Sequence, residues 1–155
     1  MSADELMRAI GIEYGLPVTG LDRLTTLAVI NQFLLQQVDR GRDTVLIIDE
    51  AQDLTDDLLE QVRLLSNLET NNRKLLQIVL MGQPELRDRL NNSKLRQLRQ
   101  RITVRYHLPP LSSAEMAKYI THRLHTAGGN GKPYFTKPAL WRVYRYSHGI
   151  PRLVN

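Results

Sequence analysis

Val45-Leu46-Ile47-Ile48-Asp49-Glu50 is a run of four branched apolar residues that ends in two adjacent carboxylates. A short apolar run of this kind predicts a strand, about 44–49, buried on both faces as in a parallel sheet. In open α/β sheets, ligands bind outside the carboxyl ends of such strands. Two acids at that end have a direct chemical use. One carboxylate holds Mg²⁺, usually through water, and the next polarises an attacking water. Without a cation, burying two carboxylates near an apolar sheet is costly. Asp49 is therefore the candidate Mg²⁺ partner and Glu50 the candidate water activator.

That pair is the Walker B pattern of a nucleotide hydrolase, and it calls for a partner. A phosphate-cradling loop needs G-x-x-x-x-G-K-S/T, which combines backbone N–H groups, a lysine and a magnesium-binding hydroxyl. Only Gly15 to Gly20 has the glycine spacing, and Leu21-Asp22 stands where the lysine and hydroxyl should be. Pro17 also removes one N–H from that segment, and no buried strand precedes it. It reads as an interhelix loop, so no Walker A motif is expected in this chain.

Outward from the strand, the pattern alternates. Residues 3–14 and 22–40 have helical spacing, the second with Leu24, Leu27, Phe33, Leu34 and Val38 near one face and Gly41 at its end. Thr55 caps a predicted helix over 56–70, with Asp56 and Asp57 in its first turn. Residues 75–81 form a second apolar run, hence a second buried strand, and Pro84 opens a short helix. A basic helical stretch over 94–100 precedes a third, alternating strand through Ile102, Val104, Tyr106 and Leu108. Strand, helix, strand, helix, strand is an α/β layered pattern. Pro109-Pro110-Leu111 marks a boundary. Beyond it, Ser112 and Glu115 form a capping box for a helix to about Ala127, Gly128–Gly131 is a loop, and a last helix spans about 137–147.

At 155 residues, 42% apolar and 24% charged, the chain has the length and composition of one soluble globular domain. No apolar stretch approaches a membrane span, and Met1–Glu5 is not a signal peptide. The absence of cysteine rules out disulfides and thiolate metal sites. The net charge of +5 conceals a split: residues 1–84 carry −6 and residues 85–155 carry +11. Such asymmetry implies nucleic-acid contact, or a basic half that faces bound phosphates or the acidic half of a neighbouring subunit.

Three further features fit phosphate chemistry. Gln83, just past the second strand, can orient the attacking water or report on a phosphate; the plainer reading is a turn residue capping the Pro84 helix. Arg96, Arg99, Arg101 and Arg105 surround the third strand, and an arginine supplied in trans stabilises a transferring phosphoryl group. Arg101 is the choice among them, lying where the chain must turn before that strand. Gly149-Ile150-Pro151-Arg152 ends one helix and opens another, which places a guanidinium at a helix start. The four histidines do not form a convincing ligand set, and Trp141 and Tyr144 have the spacing of packing residues.

Together, VLIIDEAQDL (45–54), LLEQVRLLSNLET (58–70), LLQIVLMGQPEL (75–86), LRQLRQRITVRYHLPPLS (95–112), YITHRL (119–124) and GIPR (149–152) resemble the AAA+ ATPases of the general secretion pathway protein A type, the ExeA-like and MshM-like proteins. The resemblance implies a partial P-loop NTPase fold, a three-layer α/β/α core with a parallel sheet over 1–108, then the start of a helical lid over 109–155. It implies ATP and Mg²⁺ as cofactors, with Asp49 and Glu50 as Walker B, Gln83 at or beside sensor 1, Arg101 as arginine finger and Arg152 as sensor 2.

By the same resemblance, the Walker A segment would lie before Met1 and more of the lid after Asn155. The chain then looks like the middle of a larger protein, inactive by itself. The implied role is an oligomeric ATPase whose cytoplasmic domain drives assembly of a secretion or pilus machine at the bacterial inner membrane. Similar ATPases serve transposition and bind DNA, which the basic half leaves open. DEAQDL also resembles a superfamily 1 helicase motif, but Met81-Gly82-Gln83-Pro84-Glu85 lacks the Gly-Asp-x-x-Gln expected next. A non-catalytic adaptor is the remaining alternative.

Overall fold

The computed structural model describes residues 1–70, 73–130 and 134–155. Asn71, Asn72 and residues 131–133 lie outside the described residues, and with them the last position of the predicted Gly128–Gly131 loop. Two compact units divide the chain, Met1–Val104 and Arg105–Asn155.

The first unit is α/β. Helix α1 (Ala3–Glu13) starts at Ser2, which forms a capping box with Glu5: the Ser2 hydroxyl accepts from the Glu5 N–H at 3.2 Å, and the Glu5 carboxylate accepts from the Ser2 N–H at 2.6 Å. Helix α2 (Arg23–Asp39) is capped by Asp22, whose carboxylate accepts the Thr25 N–H. Gly15–Gly20 is an interhelix loop, pinned by Val18, which is fully buried.

Strands β1 (Val45–Ile48) and β2 (Gln77–Leu80) pair in parallel, with Val45 opposite Gln77 and Ile48 opposite Leu80. Between them runs α3 (Asp56–Leu65), capped by Thr55. It stops five residues before the predicted end at 70. The Ser66 hydroxyl donates to the Arg63 carbonyl at 2.6 Å, and the chain then folds back so that Leu75 N–H reaches the Leu68 carbonyl at 3.0 Å. Helices α4 (Pro84–Leu90) and α5 (Arg96–Arg101) follow, joined by a 3₁₀ turn over Ser93–Leu95.

Burial of both sheet faces, expected from the apolar runs, holds for one face. Leu46, Ile48, Ile78 and Leu80 pack on a core built from α1–α5, including Leu6, Ile30, Leu34, Leu59, Val62 and Leu98. Val45, Ile47 and Val79 point the other way and are exposed, Ile47 to 61%. A strand alternates its side chains, so one layer of helices covers only every second residue.

The third strand is corrected outright. Residues 102–108 form no ladder, and Val104, Tyr106 and Leu108 are each about four-fifths exposed. Alternation prepares a segment for a sheet, but a neighbouring strand must accept its hydrogen bonds. Among the described residues the sheet ends at two strands.

The second unit pairs α6 (Ser113–Thr126) with α7 (Lys137–Ser147). Ser112 and Glu115 form the expected capping box. Its apolar core is small, with Met116 and Ile120 buried. Among the described residues, no helix is long and apolar enough to cross a membrane.

Candidate functional site at the carboxyl end of the parallel strands

Asp49 and Glu50 sit where β1 ends, and the ladder explains their shape. Met81 N–H donates to the Ile48 carbonyl at 2.9 Å, and Ala51 N–H donates to the Met81 carbonyl at 2.8 Å. Ile48 and Ala51 are thus both tied to Met81, and the two acids between them are extruded as a tight turn. The turn drives Glu50 into the left-handed region, at φ 49° and ψ 39°. For a residue with a Cβ this costs roughly 1–3 kcal/mol and persists only where its surroundings enforce it. Asp49 stabilises the turn by accepting the Glu50 N–H at 2.8 Å. Both acids are exposed.

Gln83, past the end of β2, is the N-cap residue of α4, with Pro84 in the helix's first turn. It thus occupies the capping position of the plainer reading, although its side chain makes no capping bond. Its backbone N–H instead donates to the Gln52 Oε1 at 3.0 Å. The Gln52 Nε2 donates to the Glu50 Oε2 at 2.8 Å and more weakly to the Asp53 carboxylate at 3.4 Å. Arg89, on α4, closes the ring. It donates to the Gln52 carbonyl at 2.5 Å and to Asp56 at 2.7 Å.

Gln52 and Arg89 escaped the sequence reading. Gln52 stood inside the quoted DEAQ motif, and a polar residue two places beyond the acid pair was the available signal. Arg89 had none, because 33 residues separate it from its Asp56 partner.

The candidate arginines are spread along the chain. Arg101 is the last residue of α5 and leads into an extended residue, Ile102, rather than into a strand. Its charge acts on Glu69, whose carboxyl is held below its ordinary value first by the hydrogen bond from Lys74, then by the Lys74 and Arg101 charges. Arg96 and Arg99 share α5, and Arg105 begins the second unit. Arg152 belongs to that second unit and is exposed. The segment after Gly149 is a 3₁₀ turn, Pro151–Leu153, where an α-helix was expected.

The donor set fits Mg²⁺ in one manner only. Among the described residues no three His, Cys, Asp or Glu side chains converge, so a dedicated protein cage is not available. Mg²⁺ is commonly held by one or two carboxylates with waters and substrate phosphates, and an exposed Asp49 at a strand end suits that arrangement. The given sequence has no G-x-x-x-x-G-K-S/T loop, the usual cradle for a triphosphate.

A family model described as an AAA domain matches residues 1–90. The chain is also 49% identical over 154 residues to a general secretion pathway protein A of Aeromonas hydrophila, a match that covers 97% of this chain and 28% of that relative. No solved structure matches at a significant level.

Proposed function

From the premise that this chain belongs to the AAA ATPase family, of the general secretion pathway protein A type, we propose that it carries the hydrolytic half of an ATPase site serving a secretion machine. One observation supports this above the rest: the strained turn that presents Asp49 and Glu50 is bonded through Gln52 to the Gln83 loop. Strain retained at a strand end, beside a polar relay, is the mark of a site whose geometry matters.

In this reading Asp49 would hold Mg²⁺ and Glu50 would polarise the attacking water. Gln83 orients that water or meets the terminal phosphate. Mg²⁺ bound there would neutralise charge that develops on the phosphates. Arg101 supplies an arginine to nucleotide held by a neighbouring copy, and Arg152 contacts phosphate from the second unit. Residues 1–108 form part of the nucleotide-binding core and 109–155 the start of its helical lid. Activity in secretion, assembly at an inner membrane and an oligomeric state belong to the same proposal.

Without a phosphate loop, the chain by itself is expected to hydrolyse no ATP above background in Mg²⁺. Turnover that vanishes in a Glu50→Gln variant would overturn that expectation while supporting the role of Glu50. Turnover that survives Glu50→Gln would remove Glu50 from the reaction.

A further inference from the structure

Gln52 is half-buried and is used by neither the strand ladder nor a helix cap, yet its amide bonds in two directions at once. It donates to the Glu50 carboxylate and accepts from the Gln83 N–H. A side-chain amide offers a donor and an acceptor on one uncharged, planar group. Glutamate would accept but not donate, and lysine would donate but not accept. The neighbours also fix which way the amide faces. Reversed, its oxygen would meet the Glu50 carboxylate and its NH₂ would meet the Gln83 N–H, both repulsive.

The surroundings are built around this side chain. A Cβ added to Gly82 would lie 2.6 Å from the Gln52 Oε1, so glycine there admits the amide. Arg89 anchors the Gln52 backbone from the helix that Gln83 itself begins. Glu50 cannot relax freely, because its backbone is confined by the Ile48 and Ala51 bonds to Met81.

We propose that Gln52 is a positioning residue that couples the Glu50 carboxylate to the Gln83 loop, so that displacement of one moves the other. The proposal rests on the roles given above to Glu50 and Gln83. Its consequence is that contact of a phosphate with Gln83 would be transmitted to the water-activating carboxylate through one amide. The coupling should exist before any nucleotide binds, and it can be read in the chain as it stands.

The test is amide hydrogen exchange of the purified chain, followed residue by residue by NMR. Gln52→Ala should speed exchange at the Gln83 amide roughly fivefold to tenfold, the effect of losing one hydrogen bond, with β2 and α3 unchanged. Gly82→Ala should produce the same local rise by displacing the amide from the other side. Gln52→Glu keeps an acceptor for Gln83 but loses the bond to Glu50, so it should also speed exchange at Gln83, by less than Gln52→Ala.

The decisive variant is Glu50→Asn, which tolerates the left-handed backbone but is too short to reach Gln52. It should speed exchange at Gln83, a residue it does not touch, and have no further effect in a Gln52→Ala background. An unchanged Gln83 rate in Glu50→Asn, or strictly additive effects in the double variant, would overturn the coupling. So would a uniform rise in exchange across Met1–Val104 in Gln52→Ala, which marks a residue that merely fills space. None of these readouts involves ATP, so failure here is distinct from failure of the hydrolytic reading.

Discussion

Met1–Val104 and Arg105–Asn155 each present a charged candidate motif, but they hold it by opposite means. In the first unit, the acid pair is shaped by residues distant in the chain: Met81 pins its flanks, Gln52 holds Glu50, and Arg89 holds Gln52. The apolar cluster beneath it draws side chains from all five helices of that unit and both strands. In the second unit, the Gly149–Arg152 segment is shaped by the backbone geometry of a turn and one backbone bond from Leu111. His148 and Gly149 both take positive φ, and the Leu111 N–H donates to the Gly149 carbonyl at 2.9 Å. Among the described residues, only Met116 and Ile120 are buried apolar side chains there. The difference teaches that burial governs one motif and turn stereochemistry governs the other.

The largest expected effect tests the burial side. Leu59 is 0% exposed, and Leu59→Ala should cost roughly 2–5 kcal/mol in denaturant unfolding followed at the β1 and β2 amides. A loss that small-residue collapse reduces to near zero would show that the first unit is not held by its core. The next effect tests the turn. An alanine Cβ at Gly149 would meet the Leu111 carbonyl oxygen at 2.1 Å, on a backbone at φ 80°. Gly149→Ala should therefore destabilise Arg105–Asn155 by at least roughly 1–3 kcal/mol, seen as faster exchange in α6 and α7. Equal loosening of β1 and β2 would break the contrast between the units.

Smaller still is the cap. Ser112→Ala removes the hydroxyl that accepts the Glu115 N–H and should cost roughly 0.5–2 kcal/mol, confined to the first turn of α6. The same box sets the mildest effect, a pH dependence. Hydrogen bonds from the Ser112 side chain and backbone hold the Glu115 carboxyl below its ordinary value of 4.5. A depressed folded-state value means the carboxylate stabilises the fold above pH 4.5, and that contribution is lost as pH falls through the depressed value. Fraying of α6 in acid, weaker in Ser112→Ala, which keeps the backbone N–H bond to Glu115, is the expected NMR result.

Local signals carried far in this chain. The capping boxes at Ser2 and Ser112, the Thr55 cap, the Pro84 start and the helix over 137–147 all involve groups within a few residues of one another. Both apolar runs became strands, because branched side chains suit a half-buried pleated surface and each run supplies the other's partner. The parallel pairing of those two runs held, and what failed were two other statements about partners. Ile102 to Leu108 alternates well but finds no strand to pair with. Residues 66–70 kept a helical composition but turn back toward Leu75.

At the candidate site, the sequence by itself determined that two carboxylates follow a β-strand and that a glutamine follows its neighbour, because composition and spacing are written in one dimension. It also determined that the phosphate-loop motif is not present among these 155 residues. Tertiary structure decided that Glu50 is strained, that Gln52 bridges it to Gln83, and that Arg89 fixes the bridge. The physical reason is that a parallel ladder brings Met81 against Ile48, residues 33 positions apart, and hydrogen bonds form between atoms that meet in space whatever their separation along the chain.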